Sequence, residues 1–422
     1  MPSRSARRGR VSPSPPNPSC QSALGDARRP RRDDERGRAR ERFRRAVSAQ
    51  LRRHGARARV RREATRRSIV DDRANDRLRD ALRDDERSTD DDDDDDAWFP
   101  QAHKPTVVTH SAVGKFTSSE ATDLIVAKST RLEVYRLHAE GLKPVLDVPI
   151  NGRIATMSLC QTGSGDGKAR LYLTTERYGF TVLSYDEANE ELKTEAFGDV
   201  RDNIGRPADD GQIGIVDDTC RAIGLQLYDG LFKVIPCDEK GGVKEAFNIR
   251  LEELRVEDIK FLHGTPKPTI AVLYRDTKDA VHIKTYEIGI REKEFVSSPW
   301  AQNDLEGGSN KIIPVPAPIG GVVVLGQEII VYLNKFEDDA DVFLKAINIP
   351  DRTNITCYGA IDPDGSRYLL GDADGTLYLL VILHDGKRVR ELKIERLGDT
   401  SIASTLSYLD NGVVFVLSLI HI

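Results

Sequence analysis

From about residue 104 onward, the chain repeats a unit of two short apolar segments joined by a turn. Each segment is rich in β-branched, aliphatic and aromatic residues, and Gly, Asp or Asn lies between the two. This composition is typical of β-hairpins, and the 3.6-residue period of amphipathic helices is absent. Six units lie at residues 124–127 with 132–135, 171–174 with 180–183, 223–227 with 231–234, 270–273 with 282–286, 322–325 with 329–332, and 368–370 with 376–379. Residues 412–416 begin a seventh.

The units recur at nearly even intervals. Corresponding positions are 47 to 51 residues apart, as marked by Val134, Val182, Phe232, Ile283, Ile330 and Leu377. This length suits the four-stranded blade of a propeller. The sequence therefore predicts an all-β fold over residues 101–422, a seven-bladed β-propeller that is incomplete in its last blade. Because a propeller closes through its last blade, we expect an open ring with exposed strand edges.

Residues 1–100 differ sharply in composition from the rest. They hold 27 Arg, no Lys and 20 Asp or Glu, and they include an unbroken Asp run at positions 90–96. The segment has few apolar side chains, and their burial cannot offset the entropy lost when the backbone is ordered. We therefore predict a disordered Arg-rich extension followed by poly-Asp. Four interpretations remain open: arginines that bind phosphate backbones, an organelle transit peptide, an Asp run that binds a basic partner, or a mispredicted extension without function. Prolines at positions 13, 15, 16 and 18 weaken the transit interpretation because they break helices.

The remaining residues are acidic. Residues 101–422 hold 36 Lys or Arg against 48 Asp or Glu, a net charge of −12. Duplex binding needs cations that neutralise phosphates, so this charge argues against direct DNA binding by the propeller. The sequence has neither an apolar stretch of transmembrane length nor the apolar core of a secretory signal. We therefore expect a soluble protein in a reducing compartment, without membrane association.

Residues that commonly carry chemistry are scattered. The five cysteines are Cys20, Cys160, Cys220, Cys237 and Cys357. No CxxC pair and no histidine at metal-ligand spacing accompanies them, so we predict buried or half-buried thiols, with neither a disulfide framework nor a zinc site. The eight histidines accompany no Ser or Cys nucleophile motif. We therefore predict no enzyme activity, no catalytic residue and no cofactor.

Two glycine-containing motifs are best interpreted as loops. Residues 163–167 are rich in Gly but open no predicted helix, which favours an inter-strand loop over a phosphate-binding loop. Asp372, Asp374 and Gly375 resemble part of a calcium loop, but further oxygen ligands and flanking helices are missing. We therefore predict a hairpin turn at Asp372–Gly375.

Five longer segments are similar, in the same order, to one protein family. They are residues 205–236, 246–254, 291–295, 364–372 and 408–416. They resemble the large subunits of damaged-DNA-binding complexes, the adaptors of cullin-4 RING ubiquitin ligases, and the resemblance covers residues 104–416. It implies the first of three propellers in a non-enzymatic scaffold that acts in DNA damage recognition, nucleotide-excision repair and protein ubiquitination. It also implies localisation to the nucleus and cytoplasm.

The same resemblance implies the partners. Substrate-receptor proteins of the ligase bind the first propeller, and the cullin binds the second propeller, which this chain lacks. Damaged DNA is reached indirectly, through partners. Residues 417–422 do not match the continuation of the family, so we expect the sequence to be incomplete.

Three residues near the end match positions that the family uses to bind receptors: Tyr408, Asp410 and Asn411. A structural role also fits each of them. Asp410 and Asn411 precede Gly412 in a good turn sequence, and Tyr408 could cap a blade. Contact and turn formation are compatible, and the resemblance favours contact.

Two other functions remain open. Propeller subunits of splicing factor 3b and of the cleavage and polyadenylation factor share the three-propeller architecture, so a subunit of an RNA-processing complex is the alternative. A propeller hydrolase is a more remote alternative, because the sequence lacks the Asp boxes of sialidases. The Gly-His and Trp-Asp repeats of WD40 propellers are also missing.

Overall fold

The computed structural model describes residues 104–418, except 162–166, 204, 239–240, 337–338, 340 and 411. The predicted disordered extension of residues 1–100 lies outside the described residues, so it stays a prediction. The same holds for the domain boundary at residue 101. Every regular element in the described part of the chain is a β-strand. This confirms the predicted all-β class.

The strands form seven antiparallel sheets in chain order, which we number as blades 1 to 7. Blade 1 consists of β1 (His110–Gly114), β2 (Asp123–Lys128), β3 (Arg131–His138) and β4 (Gly141–Pro149). Blade 2 consists of β5 (Ile154–Gln161), β6 (Ala169–Thr175), β7 (Gly179–Asp186) and β8 (Glu191–Asp199). Blade 3 consists of β9 (Ile213–Val216), β10 (Ala222–Tyr228), β11 (Leu231–Pro236) and β12 (Phe247–Arg250).

The fourth blade departs from this plan, because two short strands pair with its third strand. Blade 4 consists of β13 (Arg255–Phe261), β14 (Thr269–Arg275), β15 (Val281–Gly289), β16 (Glu294–Ser297) and β17 (Ala301–Leu305). Blade 5 consists of β18 (Lys311–Pro314), β19 (Val322–Leu325), β20 (Ile329–Asn334) and β21 (Phe343–Asn348). Blade 6 consists of β22 (Ile355–Ala360), β23 (Arg367–Asp372), β24 (Thr376–His384) and β25 (Val389–Asp399). Blade 7 has β26 (Ala403–Asp410) and β27 (Val413–Ser418).

The predicted repeat corresponds to one structural position. All six marker residues, from Val134 to Leu377, lie in the third strand of their blades. The two apolar segments of each unit are the second and third strands, which are the most buried strands of a blade. Blade 7 has two strands within the described residues.

The ring of blades is closed at its centre, contrary to the expected open ring. The first strand of each blade lies innermost, and β26 contacts both β22 and β1. The Ser111 hydroxyl on β1 hydrogen-bonds the hydroxyls of Thr405 (2.6 Å) and Ser407 (2.7 Å) on β26. The expectation was wrong because closure needs only the inner strand of the last blade, and β26 supplies it.

Neighbouring blades pack face to face through apolar side chains. Ile125 and Val134 of blade 1 share a cluster with Ile154 and Leu171 of blade 2. Tyr332 of blade 5 lies similarly in one cluster with blade 6 residues. Burial of a large apolar side chain contributes about 1.5–3 kcal/mol, so these stacked clusters stabilise the ring.

Two of the cysteines contradict the prediction of independent buried thiols. Cys160 on β5 and Cys220 in the β9–β10 loop form a disulfide, with 6.2 Å between their Cα atoms. Packing of blade 2 on blade 3 brings these residues together across a sequence separation of 60, which sequence spacing could not reveal. Cys357 is a buried free thiol and Cys237 a half-buried one, as predicted. Cys20 lies outside the described residues.

The second glycine-containing motif forms a hairpin turn, as predicted. Asp372 Oδ1 accepts hydrogen bonds from the backbone amides of Asp374 (3.0 Å) and Thr376 (2.6 Å). Its other oxygen accepts one from the Thr353 hydroxyl at 2.7 Å. The carboxylate therefore serves the turn. Most of the first motif, residues 163–166, lies outside the described residues, between the end of β5 and the start of β6 in the sequence.

Candidate functional site

The two faces of the ring carry different connections. Because the strands of a blade alternate in direction, the first–second and third–fourth connections emerge on one face, which we call face 1. The second–third connections and the links between blades emerge on the opposite face, which we call face 2. The β26–β27 hairpin that carries the predicted site residues is a first–second connection, so it lies on face 1.

The β26–β27 hairpin is held in shape from within. Asp410 pairs with Val413, and the register shifts between Tyr408 and Asp410, which marks a β-bulge. Gly412 adopts a φ of 82°, a conformation that favours glycine, and its amide donates a 3.0 Å hydrogen bond to the Tyr408 hydroxyl. The turn predicted for these residues is therefore present. Asn411 lies outside the described residues.

Side chains just before the hairpin fasten it to both neighbouring blades. Leu406 packs in an apolar cluster with Cys357 and Leu369 of blade 6. Leu409 packs instead with Leu124 of blade 1. Residues an odd number of positions apart on a strand face opposite sides, so Leu406 and Leu409 point to different neighbours, and the hairpin is wedged between blade 6 and blade 1.

A charged hairpin of blade 6 lies beside Tyr408. Arg367 donates hydrogen bonds of 2.6 and 2.8 Å to the two oxygens of Asp362. Asp362, and more weakly Tyr408, raise the pKa of Arg367, so this guanidinium remains charged. Hydrogen bonds from the hydroxyl and amide of Ser366 lower the pKa of Asp364. A fixed cation, itself paired with Asp362, thus adjoins the tyrosine.

We call these neighbouring residues the blade 6–7 surface. It consists of Asp362, Asp364, Arg367, Tyr408, Asp410 and Val413. Val413 is 51% exposed, so an apolar side chain lies beside the charges. An aromatic ring, an apolar side chain and a bidentate arginine pair are features of protein-binding surfaces.

Sequence reasoning found only part of the blade 6–7 surface. It identified Tyr408 and Asp410, which the fold places on one hairpin. It missed Asp362, Asp364, Arg367 and Val413. A signal existed for Arg367, because the family-like segment at residues 364–372 contains it and precedes the hairpin by one repeat.

Two further kinds of feature were sought in the part of the chain that the structure describes, a metal site and a membrane-spanning helix. No group of three or more His, Cys, Asp or Glu in the described part of the chain could hold a metal ion. Nor does any described helix have the length and apolar character needed to cross a membrane.

Comparison with known proteins shows which family the chain belongs to. Residues 107–420 match the family model described as the RSE1/DDB1/CPSF1 first beta-propeller. The chain belongs to this family. Membership in the RSE1/DDB1/CPSF1 first-propeller family confirms the resemblance seen in the sequence.

Relatives within the family are substantially identical to this chain. It is 59% identical over 315 residues to "DNA damage-binding protein 1" of Oryza sativa subsp. japonica. It is 60% identical over 316 residues to "DNA damage-binding protein 1a" of Arabidopsis thaliana, and 58% identical to "DNA damage-binding protein 1" of Solanum lycopersicum. These matches cover 75% of this chain and 28% of each relative. The chain thus spans little more than a quarter of the length of the curated relatives.

Proposed function

We propose that this propeller is a non-enzymatic adaptor module that binds substrate receptors of a cullin-4 RING ubiquitin ligase. Its role is in DNA damage recognition, nucleotide-excision repair and protein ubiquitination. The observation that carries the proposal is the 58–60% identity, over 75% of this chain, to proteins named for DNA damage binding.

The proposed receptor contact is the blade 6–7 surface. The hydrogen bond between Gly412 and Tyr408 and the ion pair between Arg367 and Asp362 hold these groups in position before binding. A preordered surface loses less conformational entropy on association, so more of the contact energy appears as affinity. Tyr and Arg are also the residues that most often dominate binding energy at interfaces.

The wider setting is part of the same proposal. The cullin binds a second propeller in the longer protein, and damaged DNA is reached through partners. The excess of 12 negative charges over residues 101–422 supports indirect contact with DNA, since phosphates repel this surface. We also propose localisation in nucleus and cytoplasm, which imaging of a fluorescent fusion tests; confinement to another compartment contradicts it.

The receptor proposal is tested with the triple variant Tyr408→Ala, Asp410→Ala, Asn411→Ala. A purified substrate receptor of a cullin-4 ligase is titrated against the immobilised 422-residue chain and the variant. We expect affinity to fall at least about tenfold, which is a loss of about 1.4 kcal/mol or more.

The matched control is the triple variant Glu391→Ala, Lys393→Ala, Glu395→Ala, in exposed positions of β25 at the rim of blade 6. It changes the same number of residues away from the proposed contact, and we expect it to bind receptor normally. Equal binding by all three proteins, with native circular dichroism, would reject the site.

The RNA-processing alternative is tested with the same immobilised chain. The family description covers RSE1 and CPSF1 besides DDB1, but the relatives named above are DNA damage-binding proteins. Purified splicing or polyadenylation subunits that bind this chain in place of the receptor would replace the proposal with that alternative.

A further inference from the structure

Three arginines lie together on face 2 at blade 2. Arg153 ends the link from blade 1, Arg177 is in the second–third turn, and Arg201 is in the link to blade 3. All three side chains are exposed. The Glu176 amide donates a 2.9 Å hydrogen bond to the Arg153 carbonyl oxygen, and Arg201 Nη2 donates one of 3.4 Å to the Arg177 carbonyl oxygen. These contacts hold the three loops side by side, and we call the three residues the blade 2 arginine patch.

The blade 2 arginine patch has an unbalanced positive charge. Among the described residues, no ion pair joins a carboxylate to any of its three guanidinium groups. Asp199 accepts a 2.8 Å hydrogen bond from the Arg201 backbone amide, not from the side chain. The nearby Arg206 differs, because its guanidinium bonds Asp209. Residues 101–422 carry a net charge of −12, so three unpaired cations in one place are a local exception that suits a partner with several negative charges.

An exposed aromatic ring borders the patch. Phe197 is 85% exposed and precedes Arg201 by four residues, near the end of β8. It pairs with Thr181, which pairs with Leu173, a member of the apolar cluster shared with blade 1. Directly paired residues of antiparallel strands project from the same side of a sheet. Phe197 therefore lies on the side of blade 2 that faces blade 1, at the face 2 end of the outer strand.

The chain itself contains a segment with complementary properties. Residues 90–96 are an unbroken run of Asp, and Trp98 and Phe99 follow that run. Carboxylates are the natural partners of guanidinium groups, and two large apolar side chains next to them match the exposed ring of Phe197. The order also agrees, because the apolar residues lie between the Asp run and the start of the propeller.

The Asp run is within reach of the patch. The chain enters β1 from face 2, and Lys104 Nζ lies 2.5 Å from Asp147 Oδ2, close to the face 2 end of β4. Six residues separate Asp147 from Arg153, which is at most about 20 Å of extended chain. The run ends eight residues before Lys104 and starts fourteen before it, so an extended chain carries it about 28 to 50 Å from Lys104.

We propose that residues 90–96 bind the blade 2 arginine patch of the same chain, and that Trp98 and Phe99 cover Phe197. A single exposed ion pair contributes little, but here several carboxylates share three cations. Binding within one chain also proceeds at an effective concentration in the millimolar range, which favours the bound state. The bound run occupies a basic surface that otherwise attracts phosphates. Because the patch is on face 2, its occupation is independent of receptor binding on face 1.

Carbodiimide cross-linking of the 422-residue chain tests the contact, because this reagent joins a carboxylate to an amine that touches it. Arg177→Lys and Arg201→Lys keep the charge and supply the amine. The matched control is Arg291→Lys, an exposed position in the third–fourth turn of blade 4 on face 1. Cross-linked monomers are isolated by size exclusion, so that contacts between copies are left out, and the linked peptides are identified by mass spectrometry.

We expect residues 90–96 to be joined to positions 177 and 201 and not to position 291, and we expect these links to disappear at about 0.5 M sodium chloride, where the Debye length is short. Absence of links at positions 177 and 201, or equally frequent links at position 291, overturns the proposal.

Trp98 reports the apolar part of the contact. The other tryptophan, Trp300, is only 7% exposed, so acrylamide quenches mainly Trp98. We expect replacement of all three patch arginines by Gln to raise the quenching constant at least about twofold, and about 0.5 M sodium chloride to do the same to the unmodified protein. The control variant removes three exposed charges on face 1 and should change nothing: Lys244→Gln, Arg291→Gln, Lys387→Gln.

Two outcomes of these measurements count against the proposal. Equal quenching in the unmodified protein and in the patch variant, both with native circular dichroism, overturns it. Binding of labelled single-stranded DNA by the unmodified chain that the patch variant loses overturns the choice of ligand, because nucleic acid is then the occupant of the patch.

Discussion

The Tyr408 hydroxyl accepts a 3.0 Å hydrogen bond from the Gly412 amide, across the turn that Asp410 begins. One aromatic side chain therefore both belongs to the proposed contact surface and holds the turn beside it. The hydroxyl holds the turn, and the ring belongs to the proposed contact surface. A substitution that removes only the hydroxyl therefore tests the first role separately from the second.

Tyr408→Phe removes the hydroxyl and keeps the ring. Water can replace the lost acceptor because Gly412 is exposed, so we expect the free energy of unfolding to fall by less than about 1 kcal/mol. The Gly412 amide should exchange with solvent several times faster, as measured by hydrogen exchange. An unchanged rate at Gly412 contradicts the proposed role of the hydroxyl in holding the turn.

Alanine substitutions at two glycines of blade 6 distinguish the cost of backbone strain from the cost of a steric clash. Gly375 and Gly386 adopt φ values of 87° and 93° in hairpin turns. A Cβ at Gly375 would lie 2.5 Å from the Thr400 carbonyl oxygen, whereas a Cβ at Gly386 would meet nothing within 4 Å. We expect Gly386→Ala to cost about 1 kcal/mol from backbone strain and Gly375→Ala at least about 1 kcal/mol more. Urea unfolding measures both; equal losses contradict the clash.

Asp217 makes stability depend on pH. Burial raises its pKa, but hydrogen bonds from Arg221 and Thr219 outweigh burial and hold the pKa below its ordinary value of 3.8. A depressed carboxyl pKa stabilises the fold above the unfolded-state value, and this stability is lost as pH falls through the folded-state value. We expect Asp217→Asn to lose about 2 kcal/mol at pH 7 and less at pH 3.

The measurement for Asp217 is urea unfolding at pH 7, 5, 4 and 3. The Asp351→Asn variant, which changes an exposed carboxylate, is the control and should follow the unmodified protein. A difference between Asp217→Asn and the unmodified protein that stays constant down to pH 3 contradicts the depressed pKa.

The Cys160–Cys220 disulfide cross-links blade 2 to blade 3 and closes a loop with a sequence separation of 60. Loop-closure entropy gives a stabilisation of about 4 kcal/mol for a loop of this length. We expect dithiothreitol to lower the free energy of unfolding by up to that amount. The Cys160→Ala, Cys220→Ala double variant should be insensitive to dithiothreitol. A double variant that responds like the unmodified protein shows that another bond is responsible.

Short sequence patterns were enough to predict the fold. Contacts between residues far apart in the sequence could not be predicted from such patterns. The second and third strands, such as β2 and β3, are short apolar segments joined by a tight turn, so their signal is contained within a few residues. The outer strand β8 has no such signal, because most of its residues are exposed and Phe197 is 85% exposed. The split of the outer strand of blade 4 into β16 and β17 was equally invisible.

The candidate site divides in the same way. Tyr408 and Asp410 are close in sequence and came from a resemblance to a family. Arg367 joins them only because blade 6 packs beside blade 7, a contact between separate repeats. Cys160 and Cys220 are likewise brought together by packing between blades, which no spacing rule encodes.

The hydroxyl contacts of Ser111 with Thr405 and Ser407 join positions separated by 294 and 296 residues. On a ribosome that adds about 5–20 residues per second, β1 therefore emerges roughly 15–60 s before its partner strand. During that interval the blade 1 side chains that later cover Leu409 face solvent. Until β26 leaves the exit tunnel, the apolar face of blade 1 that packs on Leu409 therefore stays exposed to solvent on the nascent chain. We expect chaperones to bind the nascent chain during this interval and to dissociate once β26 has emerged.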